Sequence, residues 1–168
     1  KIFYQTCLAL KAVHEKGLIH RDIKPENILL DKNFDVKLCD FGWCCEADDP
    51  MANSDQAGTL AYMSPEAHQS HAQTTASDIW ALAILLYEMY HKVEPFPGAT
   101  SDERLRSIFT TKPVFDPRFP AEAADIFYQC TAVRPEDRRP LSWLLDHAYL
   151  AGLVSKDAPR SQRQTVGH

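Results

Sequence analysis

The stretch LIHRDIKPENILL, residues 18–30, sets His20, Arg21, Asp22, Lys24, Glu26 and Asn27 between two apolar runs. A solvated turn accounts for a few polar residues, but this many chemically distinct heads in one short loop imply a shared task. The next segments say what kind. NILL (27–30) and VKLC (36–39) flank Asp31-Lys32-Asn33-Phe34-Asp35 and read as a short β-hairpin. Asp40-Phe41-Gly42 follows at once. A hairpin returns its second strand to the edge where the first began, so Asp40 comes back beside Asp22 and Asn27. Carboxylate and amide oxygens gathered this way are hard ligands for a divalent cation, and Mg2+ with phosphate groups completes such sites.

The rest of the chain narrows the class. Its 168 residues are 45% apolar, which suits one soluble domain with an ordinary core. A net charge of -5 argues against a nucleic-acid or anionic-membrane partner. The five cysteines (Cys7, Cys39, Cys44, Cys45, Cys130) are odd in number and lack a CxxC spacing. With no visible signal peptide, a reducing intracellular setting is expected and a zinc site is not. The longest apolar run, Ile79–Tyr87, is far short of the ~20 residues that cross a bilayer. Apolar on every side of the helical wheel, it predicts a buried central helix, with Ser77 as its N-cap.

Around that helix the pattern is mainly α. KIFYQTCLALKAVHEK (1–16) places Ile2, Phe3, Cys7, Leu10 and Val13 at helical spacing, and Gly17 supplies the stop. The chain thus opens inside a helix, on Lys and not Met, and sequence to its left is expected to be missing. EPFPGATS (94–101) reads as a loop. SDERLRSIF (101–109), EAADIFYQCTAV (122–133) and LSWLLDHAYLAGL (141–153) read as three further helices. The end, from about residue 155 to 168, is polar and reads as a disordered tail.

HRDIKPEN, Asp40-Phe41-Gly42 and Ser64-Pro65-Glu66 resemble the catalytic loop, magnesium loop and activation-segment end of protein kinases. The resemblance continues through SDIWALAILLYEM, EPF and RPEDRRP and covers roughly residues 1–154. It implies the mainly α, helical C-terminal lobe of the α+β kinase fold, with a small catalytic-loop β-hairpin and no N-terminal lobe. It also implies ATP and Mg2+ as cofactors. Asp22 would accept the substrate hydroxyl proton, Asn27 and Asp40 would bind the metal, and Lys24 would lie against the transferred phosphate. Lys24 and Gly58-Thr59 are similar to serine/threonine kinases, and Thr59 would hydrogen-bond Asp22 and Lys24; a turn hydroxyl and an exposed lysine are the plainer readings of these two.

The same resemblance assigns supporting roles. Asp78 would be buried, accepting backbone N–H groups of the catalytic loop, and His20 would pack on Phe41. Glu66 would pair with Arg138, although Arg139 is adjacent. Leu29 and Cys39 would line the adenine face, Cys39 as a small buried residue. Glu26, at the nucleotide edge of the loop, and Glu88 stand where kinases of basic substrates meet an arginine, against the plainer reading of two solvated carboxylates.

What a complete kinase adds is not found: none of the six glycines belongs to a GxGxxG loop, and no VAIK-like Lys or partner Glu is present. The expectation is a fragment inactive by itself, with an apolar face left open where the N-terminal lobe of its parent would sit. A non-enzymatic pseudokinase or scaffold is the competing class. DFGW and GTLAYMSPE are most similar to Aurora-type kinases, whereas Cys44-Cys45 and Ala61 depart from that group, leaving calmodulin-type and mitogen-cascade-type kinases open. An Aurora-like kinase would be cytoplasmic, nuclear or on the spindle. Three residues before Gly58, where many kinases carry a phosphorylated threonine, stands Asp55, a fixed charge that would free the parent from phosphorylation there; Ser54 is the alternative switch.

Overall fold

A computed structural model of the chain describes residues 1–49, 56–70 and 73–157. Asp55 and Ser54 lie outside the described residues.

Seven helices are described: α1 (Ile2–Glu15), α2 (Pro65–Ser70), α3 (Thr75–His91), α4 (Ser101–Thr110), α5 (Ala121–Cys130), α6 (Leu141–Asp146) and α7 (Ala148–Asp157). The expected central helix is α3, in which every residue from Ser77 to Tyr87 is buried. A helix apolar all round needs neighbours all round. One neighbour is α1, which buries Phe3, Thr6, Cys7, Leu10 and Val13 along one stripe, and another is α5, which buries Ala123, Ile126, Phe127 and Cys130. No helix among the described residues is long and apolar enough to cross a membrane.

Helix ends correct the expected boundaries in three places. The N-cap of α3 is Thr74, not Ser77: the helix begins three residues earlier, and Ser77 occupies the third position of a Thr-x-x-Ser capping box. Its hydroxyl accepts from the Thr74 N–H at 2.9 Å and donates to Glu66 Oε1 at 3.0 Å. The helix expected to reach Val133 stops at Cys130, because the carbonyls of Ala132 and Val133 turn inward to accept from the Arg138 guanidinium at 2.8 and 3.2 Å. The last expected helix is two. His147 leaves helical geometry at ψ 140°, and its Nδ1 accepts the Tyr149 N–H, which starts α7. Helix α7 runs to Asp157, into the segment whose composition reads as a tail.

The expected hairpin is present. Strand β1 (Leu18–Ile19) precedes β2 (Ile28–Leu30) and β3 (Val36–Leu38), and the last two pair antiparallel with Ile28 opposite Leu38. Asp31 closes the turn by accepting the Asn33 and Asp35 N–H groups at 2.8 and 3.0 Å. A second ladder, absent from the sequence reading, pairs β1 with β4 (Cys45–Glu46). Two-residue strands carry no legible alternation, yet this ladder ties the segment after Asp40 to the foot of the 20–27 loop.

Candidate active site

The loop that leaves β1 is bent over a single buried carboxylate. Asp78, in the first turns of α3 and 1% exposed, accepts the His20 and Arg21 N–H groups, each at 2.9 Å. Arg21 takes φ 69°, a left-handed conformation that costs a non-glycine residue ~1–3 kcal/mol and persists where the surroundings over-determine it. His20 is fully buried. Its Nδ1 accepts the Asp22 N–H at 3.2 Å, its Nε2 donates to the Cys39 carbonyl at 3.1 Å, and its ring meets Phe41 edge-on at 5.1 Å. The packing of His20 on Phe41 and the role of Asp78 are as the resemblance implied.

Asp22 is 5% exposed, and both of its carboxylate oxygens are engaged. Thr59 Oγ1 donates to Oδ1 at 3.0 Å. The Asn27 amide donates to Oδ2 at 3.1 Å and to the Asp22 carbonyl at 2.8 Å. Lys24 Nζ donates to Thr59 Oγ1 at 2.8 Å and lies 3.6 Å from Asp22 Oδ2. Lysine to threonine to aspartate is thus one continuous hydrogen-bonded path, so Thr59 is more than a turn hydroxyl and Lys24 more than a surface lysine. A nearly buried carboxylate is tolerable because a nearby cation and two donated hydrogen bonds meet it.

Asn27 and Asp40 both stand at the open end of the β2–β3 hairpin, where the Cys39 N–H donates to the Asn27 carbonyl at 2.9 Å. With the Asn27 NH2 committed to Asp22, its side-chain oxygen is the group left to act as a ligand. Asp40 is exposed, at φ 55°, and one carboxylate oxygen accepts the Gly42 N–H at 3.2 Å. An amide oxygen and a carboxylate fit Mg2+ chemically. Among the described residues no group of three or more His, Cys, Asp or Glu forms a cage, so an ion here would take its other ligands from phosphate and water.

Gly58 explains how the later segment reaches this loop. Its φ is 102°, and a Cβ there would stand 2.4 Å from the Arg21 carbonyl oxygen, so only glycine permits the approach that places Thr59 on Asp22. Beyond a 3-10 turn at Leu60–Tyr62, Pro65 opens α2 and Glu66 meets Arg138. Arg138 also donates to the carbonyls of Ala76, Ala132 and Val133 and lies over Trp80, with 5.1 Å to the ring centroid. Burial raises the Glu66 pKa, but the hydrogen bonds and charge of Arg138 outweigh it and hold the carboxyl below its ordinary value. Arg139 instead covers Trp143 at the surface.

The remaining expected residues divide. Glu88 is half-buried and accepts a short hydrogen bond from the Tyr62 hydroxyl, so it is not a freely solvated carboxylate. Burial first, then the hydrogen bond to Glu88 and the charges of Glu88, Glu26 and Glu94, push the Tyr62 phenol pKa up. Glu26 itself is exposed in the Pro25–Asn27 turn. Leu29 is 53% exposed. Cys39 is half-buried and not buried, because β3 is covered on one face only. Phe41 and Trp43 are exposed as well, and beside them α1 and β3 enclose a groove of about 710 Å³ lined by Ala9, Val13, Leu18, Val36 and Leu38. Sequence reasoning missed His14, whose Nε2 lies 2.8 Å from Asp78 Oδ2; the available signal was a polar residue one turn after Leu10 on the apolar stripe.

A helical lobe whose strained loop carries Asp22, Lys24 and Asn27, with Asp40 just beyond the hairpin, gathers the residue types of a protein-kinase catalytic loop. Residues 1–150 match the protein kinase domain family, and the chain belongs to it. It is similar to Aurora kinase A-A of Xenopus laevis (35% identity over 158 residues, 92% of this chain and 39% of the relative). It is also similar to Aurora kinase C of Mus musculus (36% over 142 residues, 84% and 51%) and to the serine/threonine-protein kinase Aurora-1 of Arabidopsis thaliana (35% over 144 residues, 84% and 48%). The chain therefore spans between about two fifths and one half of the length of these curated relatives.

Proposed function

We propose that this chain is the catalytic lobe of an Aurora-like serine/threonine protein kinase that transfers the γ-phosphate of ATP to protein hydroxyls. The hydrogen-bonded path from Lys24 through Thr59 to Asp22, with Asn27 on the other carboxylate oxygen, carries the reading. In the reaction the substrate oxygen forms a bond to the γ-phosphorus, the bond from that phosphorus to the ADP oxygen breaks, and the hydroxyl proton passes to Asp22. Thr59 and Asn27 hold the carboxylate so that a lone pair faces the incoming hydroxyl. Lys24 supplies positive charge for the phosphoryl oxygens, a positioning and charge-neutralising role suited to a loose transition state. Mg2+, held by the side-chain oxygens of Asn27 and Asp40, would neutralise the phosphate chain of ATP when bound.

The chain alone has half of a nucleotide site. Leu29, Phe41 and Trp43 are exposed apolar side chains on the face beside Asp40, an arrangement that calls for a covering lobe in the parent protein. The chain by itself is accordingly inactive. The exposed Glu26 and the half-buried Glu88 favour, by charge complementarity, peptides with an arginine just before the phosphorylated residue.

The test is a peptide panel offered to the full-length parent kinase and to the 168-residue chain. Phosphate on Ser and Thr peptides with a preceding arginine, none on Tyr peptides, and none from the chain alone are expected. Transfer to tyrosine would overturn the substrate class. Transfer by the chain alone would overturn the need for a second lobe, and no transfer by the full-length protein would favour a binding scaffold.

A further inference from the structure

We propose that Ser101 is a positioning residue for the segment 56–64, pinning both ends of the stretch that brings Thr59 onto Asp22; the proposal rests on the reading of that contact as part of a phosphoryl-transfer site. Gln56 stands at one end of the segment and His68 just past the other. Both end on one oxygen of α4: Gln56 Nε2 donates to Ser101 Oγ at 3.2 Å, and His68 Nδ1 lies 2.5 Å from the same atom. Burial first, then the charge of Arg104, disfavour a protonated His68, and a neutral imidazole has one accepting nitrogen. The Ser101 oxygen accepts the Gln56 N–H and its own proton goes to His68 Nδ1, a double duty that a hydroxyl performs and a methyl does not.

Ser101 opens α4, and the first turn of that helix is a fixed base. Thr100 and Glu103 form a capping box, Glu103 Oε2 also accepts the Ala99 N–H at 2.7 Å, and Arg104 donates to Glu94 and to the Phe96 carbonyl at 2.8 and 3.1 Å. Between its two ends the segment is held elsewhere. The buried Gln73, just before α3, donates to the Ala57 carbonyl at 2.9 Å, and Thr59 reaches Asp22. Gln56, Ala57 and Thr59 are thus fixed by three different parts of the fold. At the far end the His68 N–H bonds the Ser64 carbonyl at 3.1 Å, so a move of His68 is passed into Ser64. His68 is 9% exposed; without the Ser101 hydroxyl its Nδ1 loses its partner in a place little open to water, and the ring shifts. The exposed Gln56 then exchanges Ser101 for water, and both ends of the segment come loose from α4.

Hydrogen exchange in the 168-residue chain reads this without any activity, at the Tyr62 and Met63 amides, which bond the Thr59 and Leu60 carbonyls inside the segment. Ser101→Ala should quicken both by about tenfold, Ser101→Thr, which keeps the hydroxyl, by less than about twofold, and neither should quicken Ile126 in α5. In the full-length kinase Ser101→Ala should raise the peptide KM by about fivefold and leave the KM for ATP within about twofold, and Ser101→Thr should restore the peptide KM. Unchanged amides or an unmoved peptide KM in Ser101→Ala, equal effects of the two variants, or equal quickening at Ile126 would each overturn the proposal. Should Ser101→Ala not fold, Gln56→Ala, at an exposed residue, breaks one of the two bonds and should quicken the same amides by about threefold. No quickening there would overturn it equally. A failure of the phosphoryl-transfer reading is separable, since it appears as no transfer by the wild-type full-length kinase and leaves the exchange pattern of the chain intact.

Discussion

Arg138 and Glu66, 72 residues apart in sequence, face each other through two parallel hydrogen bonds of 2.7 and 2.6 Å. The Arg138 side chain is fully enclosed, and its remaining N–H groups end on three backbone carbonyls that would otherwise be orphaned. Removing it leaves the partly buried Glu66 carboxylate without its cation. Arg138→Ala should cost ~3–5 kcal/mol in a urea titration, whereas Arg139→Ala at the surface should change stability by ~0.5 kcal/mol.

The same pair sets a stability limit on the acid side. The folded pKa of Glu66 lies below its ordinary value of 4.5, so its contribution is complete above that pH and is lost as pH falls through the lower folded value. The urea midpoint of the wild type should therefore drop below pH 4.5 more steeply than that of Glu66→Gln. Parallel curves would show that this carboxyl does not titrate differently on unfolding.

His68 acts in the same direction at a higher pH. Burial first, and the charge of Arg104 second, hold its pKa below the ordinary 6.5, while Nδ1 contacts Ser101 Oγ at 2.5 Å. Below pH 6.5 the unfolded chain takes up a proton that the folded chain resists, so stability declines from there as pH falls. His68→Gln should flatten the slope between pH 6.5 and 5.5, measured as thermal midpoint against pH.

Gly58→Ala tests the close approach of the two loops. A Cβ would collide with the Arg21 carbonyl oxygen, and the backbone at φ 102° disfavours any side chain. A loss of ~1–3 kcal/mol is expected, with faster amide exchange at Thr59 and Arg21. An unperturbed Thr59 would mean that the platform reaches Asp22 in another way.

Burial pushes the thiol of Cys130 up to about 12 and that of Cys7 higher still, so neither supplies thiolate near neutral pH. Both should resist iodoacetamide in the folded chain and react on unfolding. Prompt native-state labelling of either would contradict the packing of α1 and α5 against α3.

Much of this fold was legible because its signals are local. An all-round apolar run reads as a central helix, and five turn residues between the short runs NILL and VKLC read as a tight turn, so α3 and the β2–β3 hairpin follow from the chain itself. Asp22, Asn27 and Asp40 were legible for a different reason, the density of polar heads around one hairpin. What escaped depends on partners distant in sequence. The end of α5 is set by Arg138 drawing in the carbonyls of Ala132 and Val133. Ser77 looks like an N-cap until Thr74 is seen to take that place. The pairing of β1 with β4 and the contact of His14 with Asp78 join residues whose own neighbourhoods announce nothing.

As the proposed base, Asp22 takes the proton from a substrate hydroxyl during transfer from ATP, and one rate reads that step. Phosphopeptide formation by the full-length kinase should fall by ~10²–10⁴ in kcat for Asp22→Asn, with the KM for ATP little changed because Asn27 and Asp40 are untouched. A kcat for Asp22→Asn within about twofold of the wild type would contradict the account.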